Sequence, residues 1–144
     1  MPHLYGPRFR ALHCCTDRII TDALSQMELT ASQGRILGFI ARQNAPPCPK
    51  DIEEHFRLSH PSVCGTLHRM EKKGFIEFLP DRQDHRCKRI ILAPRGSECC
   101  QRIQKVISDI ENQVVNGFSP EEQEIFSRLL DRAIRNINKE EPQC

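Results

Sequence analysis

Residues 58–96, LSHPSVCGTLHRMEKKGFIEFLPDRQDHRCKRIILAPRG, read as one continuous unit: a helix, a glycine stop, a strand, a charged turn and a second strand. Pro61 suits a first helical turn that begins near Ser59 or His60, and Gly74 stops the helix. Within it Val63, Leu67 and Met70 fall at i, i+4 and i+7, the spacing of a core-facing stripe. Phe75–Leu79 and Lys88–Leu92 then read as paired strands around the polar tip PDRQDHRC. Arg69, Lys72, Lys73, Arg82, Arg86, Lys88, Arg89 and Arg95 set eight basic groups against Glu71, Glu77, Asp81 and Asp84, net +4 in a chain whose total is +2. The remainder is therefore net −2, and the positive charge is concentrated where a polyanion would be met.

Opposite the core stripe the helix presents Pro61, Ser62, Gly65, His68, Arg69 and Lys72, with Thr66 and Lys73 on the flank. Small and hydrogen-bonding side chains at the N-terminal end suit base edges, and Arg69, Lys72 and Lys73 suit phosphates or, for Arg69, guanine. A mid-helix glycine costs roughly 0.5–1 kcal/mol against alanine, and close approach to a groove is one reason to keep Gly65. The crowding of Arg82, Arg86, Lys88 and Arg89 at the hairpin fits an arginine laid in the negative minor groove. Asp84, two residues before Arg86, is expected to hold its guanidinium. The expected DNA-binding set is Ser59, His60, Ser62, Gly65, Thr66, His68, Arg69, Lys72, Lys73, Arg82, Asp84, Arg86 and Lys88.

Outward from this unit the chain reads as helices. Phe9, Leu12, Ile19, Ile20, Ala23 and Met27 share one helical stripe. Thr30 stands three before Gln33, a capping-box spacing, and opens a second helix that ends before Pro46-Pro47. Pro49 opens a short third helix, PKDIEEHF, anchored by Ile52 and Phe56. After Pro94 and Gly96 comes a long helix with Ile103, Val106, Ile107, Ile110 and Val114 on one side, ending near Gly117. Ser119, Pro120 and Glu122 start the last helix, which carries Ile125, Phe126, Leu129, Leu130, Ala133, Ile134 and Ile137, and the tail KEEPQC is expected to fray. The terminal stripes are broader than a unit of about 50 residues can cover, so they call for a second copy, which would also set two reading heads side by side.

At 144 residues, 38% hydrophobic and 28% charged, the chain fits one soluble domain. No run approaches the roughly 18 apolar residues of a membrane span and the N-terminus lacks a secretion signal, so a cytosolic location and no membrane partner are expected. The eight cysteines show no CxxC spacing and are expected as reduced thiols. With no glycine-rich phosphate loop and no nucleophile–base–acid grouping, neither an enzyme nor a cofactor is expected.

LTASQ at the second helix, PSVCGTLHRMEKKGFI, DRQDHRCKRIILAPRG and GFSPEE before the last helix together resemble the MarR family of winged-helix transcription regulators, in order and spacing from about Phe9 to Ile137. The resemblance implies a mainly α fold with a small β-hairpin wing (α+β), a winged helix-turn-helix flanked by dimerisation helices. In that scheme the single domain 1–144 has its DNA-binding part at 30–96 and dimerisation helices at 8–28 and 97–138. It further implies a homodimer on double-stranded DNA, with helices in successive major grooves and wings over minor grooves, and Asp84 and Arg86 at the family's paired wing positions. Ala93 stands where the family has threonine. Relatives commonly repress until a small anionic or aromatic compound, an oxidant or a metal changes the spacing of the heads.

Two alternatives stay open within that fold. Cys14 and Cys15 lie on the first helix, where peroxide-sensing relatives carry a reactive cysteine, although those relatives tune it with second-helix tyrosines and this chain has only Tyr5. Zinc-sensing relatives suggest His13, Cys14, Cys15, His55, His85, Cys87, Cys99 and Cys100 as ligand types, which would need long-range convergence to form one site. A winged-helix module that binds only protein is the reading from a different class.

Overall fold

In the computed structural model, which describes residues 3–84 and 86–138, six helices and one hairpin follow in the order α1 (Tyr5–Gln26), α2 (Ala31–Arg42), α3 (Pro49–Phe56), α4 (His60–Lys72), β1 (Ile76–Pro80), β2 (Lys88–Leu92), α5 (Pro94–Val114) and α6 (Pro120–Ile137). The tail KEEPQC, expected to fray, lies outside the described residues. The chain forms two compact units, Met1–Ile107 and Ser108–Cys144.

Local chemistry explains most boundaries in the first unit. The Thr30 hydroxyl accepts the Gln33 N–H at 3.1 Å while the Gln33 side chain accepts the Thr30 N–H at 3.1 Å, closing the capping box that starts α2. At α3 the same role falls to Asp51, whose carboxylate accepts the Cys48 N–H at 2.9 Å. Arg57 takes a left-handed conformation, φ 53°, ending α3, and Ser59 caps α4 by accepting the Ser62 N–H at 3.4 Å. The tight turn between those two helices makes a helix-turn-helix.

Val63, Leu67 and Met70 are buried, and they join Leu24, Leu29, Ile36, Leu37, Ile52, Phe75, Ile76 and Ile90 in one core. The hairpin is antiparallel, with Ile76 opposite Leu92 and Pro80 opposite Lys88. It is tied to the α2–α3 connection, because Ile90 donates its N–H to the Pro47 carbonyl at 2.8 Å. These contacts hold wing and helix-turn-helix on one core.

Three boundaries differ from the sequence expectation. Helix α1 begins at Tyr5, four residues before Phe9. Strand β1 begins at Ile76 rather than Phe75, because the Phe75 N–H completes the α4 terminus at the Met70 carbonyl, 3.0 Å, while its side chain is wholly buried. Helix α5 begins at Pro94 and so includes Gly96, which was expected to precede it.

In the second unit, the Ser119 hydroxyl accepts the Glu122 N–H at 3.2 Å and the Glu122 carboxylate accepts the Ser119 N–H at 2.9 Å, the capping box expected there. Phe118 meets Phe126 edge-on at 5.6 Å, and Gly117 takes φ +85°, which a side chain would oppose.

Candidate nucleic-acid interface

The expected DNA-contacting residues lie on α4, at its two ends and on the wing of the first unit. Ser59, His60, Ser62, His68, Arg69, Lys72, Lys73, Arg82, Asp84, Arg86 and Lys88 are exposed, and Gly65 and Thr66 are partly so. Along α4 the spacing Ser62, Gly65, Thr66, Arg69, Lys72 keeps one face polar while Val63, Leu67 and Met70 anchor the other. Thr66 donates its hydroxyl to the Ser62 carbonyl at 2.9 Å and receives Arg69 Nη2 at 3.3 Å. An ideal Cβ on Gly65 would lie 3.4 Å from Arg69 Nη1. The glycine thus keeps the helix surface low where Arg69 folds back along it.

A cleft of about 700 Å³ opens between α3, α4 and the wing. His60 and His68 line it from α4, and Arg86 and Lys88 from the hairpin, so four of the expected residues share one concave surface. Lys88 Nζ also lies 5.8 Å from the Phe78 ring centre, a cation–π separation that steadies the ammonium.

The Asp84 expectation needs correction. Its carboxylate accepts the backbone N–H of Arg86 at 3.0 Å, shaping the tip as an Asx turn and leaving the guanidinium outside that bond. The carboxylate that holds a wing guanidinium is Asp81, 2.9 Å from both Arg89 Nε and Nη2. Asp81 is held below the usual carboxylate range, first by the Gln83 N–H and then by Arg89, and Arg89 is held up by Asp81.

Two more of the eight basic groups serve the fold. Lys73 donates its ammonium to the Glu28 carbonyl at 3.0 Å, which turns it away from the phosphate role expected for it. Arg95 reaches the Lys73 carbonyl and the Glu28 carboxylate, each at 2.6 Å, and lies 4.4 Å above the Phe75 ring. This contact, with its hydrogen bond first, lowers the Glu28 pKa. Arg69, Lys72, Arg82, Arg86 and Lys88 remain as the outward-facing positive set.

The seven described cysteines are free, with Cys14 and Cys15 exposed on α1. Burial pushes the Cys99 and Cys100 thiols up, which disfavours reactive thiolate there. Partial burial and the neighbouring Cys48 raise Cys87. His55 packs on Phe39 at 4.5 Å. Among the described residues, the side chains gathered at metal-ligand spacing are Glu53, His60 and Cys64, none of them among the ligand types weighed above for a zinc-sensing alternative; His85 lies outside the described residues. A His60–Cys64 spacing of four is visible in the sequence, but the approach of Glu53 depends on how α3 and α4 cross.

A helix-turn-helix backed by an antiparallel hairpin, with a basic outer face, defines a winged helix-turn-helix protein. Residues 27–86 match the MarR family model. The chain is 24% identical over 123 residues to an uncharacterised HTH-type transcriptional regulator, YybA, of Bacillus subtilis (strain 168), spanning 83% of this chain and 82% of that protein. The S. aureus MepR–DNA complex is similar at 25% identity and TM-score 0.77, over 90% of this chain and 97% of that one. E. coli MarR in its reduced form shares the fold at 21% identity and TM-score 0.73, over 92% of this chain and 98% of that one. Over residues 27–86 the chain is thus similar to the MarR family, and its fold is that of a winged helix-turn-helix protein.

Proposed function

We propose that this regulator is a ligand-responsive repressor that binds a palindromic operator as a homodimer, working as one domain whose DNA-binding part is 30–96 and whose dimerisation helices are 8–28 and 97–138. The observation that carries the DNA reading is the joint surface of α4 and the wing, where outward-facing Arg69, Lys72, Arg82, Arg86 and Lys88 lie beside small helix positions Ser62 and Gly65. The similarity to MepR, solved in complex with DNA, supports the same use of the face. Helix α4 enters the major groove with Ser59, His60, Ser62, Gly65, Thr66, His68 and Arg69 toward base edges, and Arg82, Asp84 and Arg86 bring the wing to the adjacent minor groove.

The second copy is supported by apolar side chains left on the surface. On α1, Phe9 is 50% exposed, and on α6 Leu129 and Ile137 are 54% and 84% exposed. Helices with such faces bury them against a partner, and a twofold pair of reading heads matches a palindrome. Thiol responsiveness is favoured by the exposure of Cys14 and Cys15 on α1.

The test is operator selection from random DNA followed by Arg86→Ala. Operator affinity is expected to fall by about tenfold or more with the dimer intact, as for loss of a minor-groove arginine. Unchanged affinity would remove the wing from the interface, and DNA affinity insensitive to salt would remove the basic face altogether.

A further inference from the structure

At the α3–α4 corner Glu53, His60 and Cys64 bring a carboxylate oxygen, an imidazole nitrogen and a sulfur within 4.8 Å of one another. The Glu53 carboxylate is paired with His60 Nδ1. Cys64 Sγ lies 3.3 Å from His60 Nε2 and 3.7 Å from Nδ1. We propose that these three side chains form a site for a thiophilic divalent cation of the zinc class.

The ligand chemistry is selective. Thiolate and imidazole favour zinc over calcium or magnesium, and a carboxylate completes a mixed donor set of the kind that leaves one tetrahedral position open. Zinc–ligand bonds of about 2.0–2.3 Å at tetrahedral angles separate donor atoms by about 3.3–3.6 Å, and Cys64 Sγ stands just outside that range, 3.7 Å from His60 Nδ1. The ion takes the place of the proton between His60 Nδ1 and Glu53, that proton moves to Nε2, and the Cys64 thiol releases its proton to water. Carboxylate, imidazole and thiolate then each donate a lone pair.

Local structure favours assembly. His60 and Cys64 are one turn apart on α4, so a rigid helix fixes two donors. Glu53 comes from α3 across a three-residue turn, and its side chain is 19% exposed, whereas that of His60 is 72% exposed. The carboxylate thus sits at the floor, with the exposed imidazole over it. Glu53, His60 and Cys64 line the cleft together with Arg86 and Lys88, so water or an anionic ligand in the cleft can complete the sphere.

Cobalt(II) titration of the full reduced chain tests the site without reference to DNA. A thiolate-to-cobalt charge-transfer band with tetrahedral d–d bands, saturating at one ion per chain and displaced by zinc, is the expected result. Cys64→Ser is expected to abolish the charge-transfer band, and Cys48→Ser and Cys87→Ser to retain it. His60→Asn, at an exposed position, is expected to weaken cobalt binding about tenfold or more with the helix signal unchanged. Absence of the band in the parent chain, its persistence in Cys64→Ser, or unchanged affinity in His60→Asn would each overturn the site.

Discussion

The backbone of Gly96 lies against the carbonyl of Phe75 so closely that an ideal Cβ on Gly96 would overlap that oxygen. The same oxygen accepts the Ala93 N–H at 3.0 Å, so it cannot withdraw without breaking the bond that turns β2 into α5. Gly96→Ala is therefore expected to destabilise the fold by roughly 1–3 kcal/mol, the range for forced overpacking. Urea denaturation at neutral pH measures it, and an unchanged midpoint would show that α5 can shift freely.

Gly65 behaves in the opposite sense. A methyl group there meets Arg69 only at ordinary contact distance, 3.4 Å. Gly65→Ala is expected to stabilise the chain by roughly 0.5–1 kcal/mol through helix propensity while lowering operator affinity by about tenfold. Thermal melts and DNA titration on one preparation separate the two effects. Affinity rising along with stability would take Gly65 out of the groove.

Neighbouring lysines at the end of α4 divide their roles. Lys72→Ala is expected to reduce the slope of log affinity against log salt by about one for each phosphate that the ammonium neutralises. Lys73→Ala leaves that slope unchanged and lowers the melting temperature, because its ammonium is bonded to the Glu28 carbonyl. Equal slopes for the two variants would contradict the division.

Acid loosens the wing. The Asp81 pKa is lowered in the folded chain by the Gln83 N–H and by Arg89, so its contribution is complete above the unfolded value of about 3.9 and is lost as pH falls below it through the folded value. Asp81→Asn should differ from the parent in wing amide exchange at neutral pH and converge with it in strong acid. A constant difference across that window would assign the effect to something other than this carboxylate.

The apolar surface of α6 predicts the assembly state. Leu129→Arg places a charge on a face carrying Ile125 and Leu129 at 44% and 54% exposure, and is expected to shift sedimentation from dimer to monomer without loss of helix signal. A variant that remains dimeric at micromolar concentration would move the interface elsewhere.

The features legible in the sequence are those set by near neighbours. Thr30 with Gln33 and Ser119 with Glu122 mark helix starts by partners three residues apart, and Val63, Leu67 and Met70 mark a core stripe by period alone. Asp84 and Arg86 mislead because a carboxylate two residues back reaches the backbone N–H before the guanidinium. Lys72 and Lys73 look alike in sequence; only the passage of the α1 terminus beneath the second distinguishes them. Glu53 meets His60 and Cys64 through the crossing of two helices, a relationship that no spacing within either helix contains.

Glu28, at φ 61°, is where three segments are tied together. Its carbonyl holds Lys73 and its carboxylate holds Arg95, which in turn grips the Lys73 carbonyl. The last residue after α4 is thus strapped at both ends to the corner that follows α1. A rotation of α1 about its C-terminal end is therefore expected to be passed to the C-terminal end of α4 through these bonds.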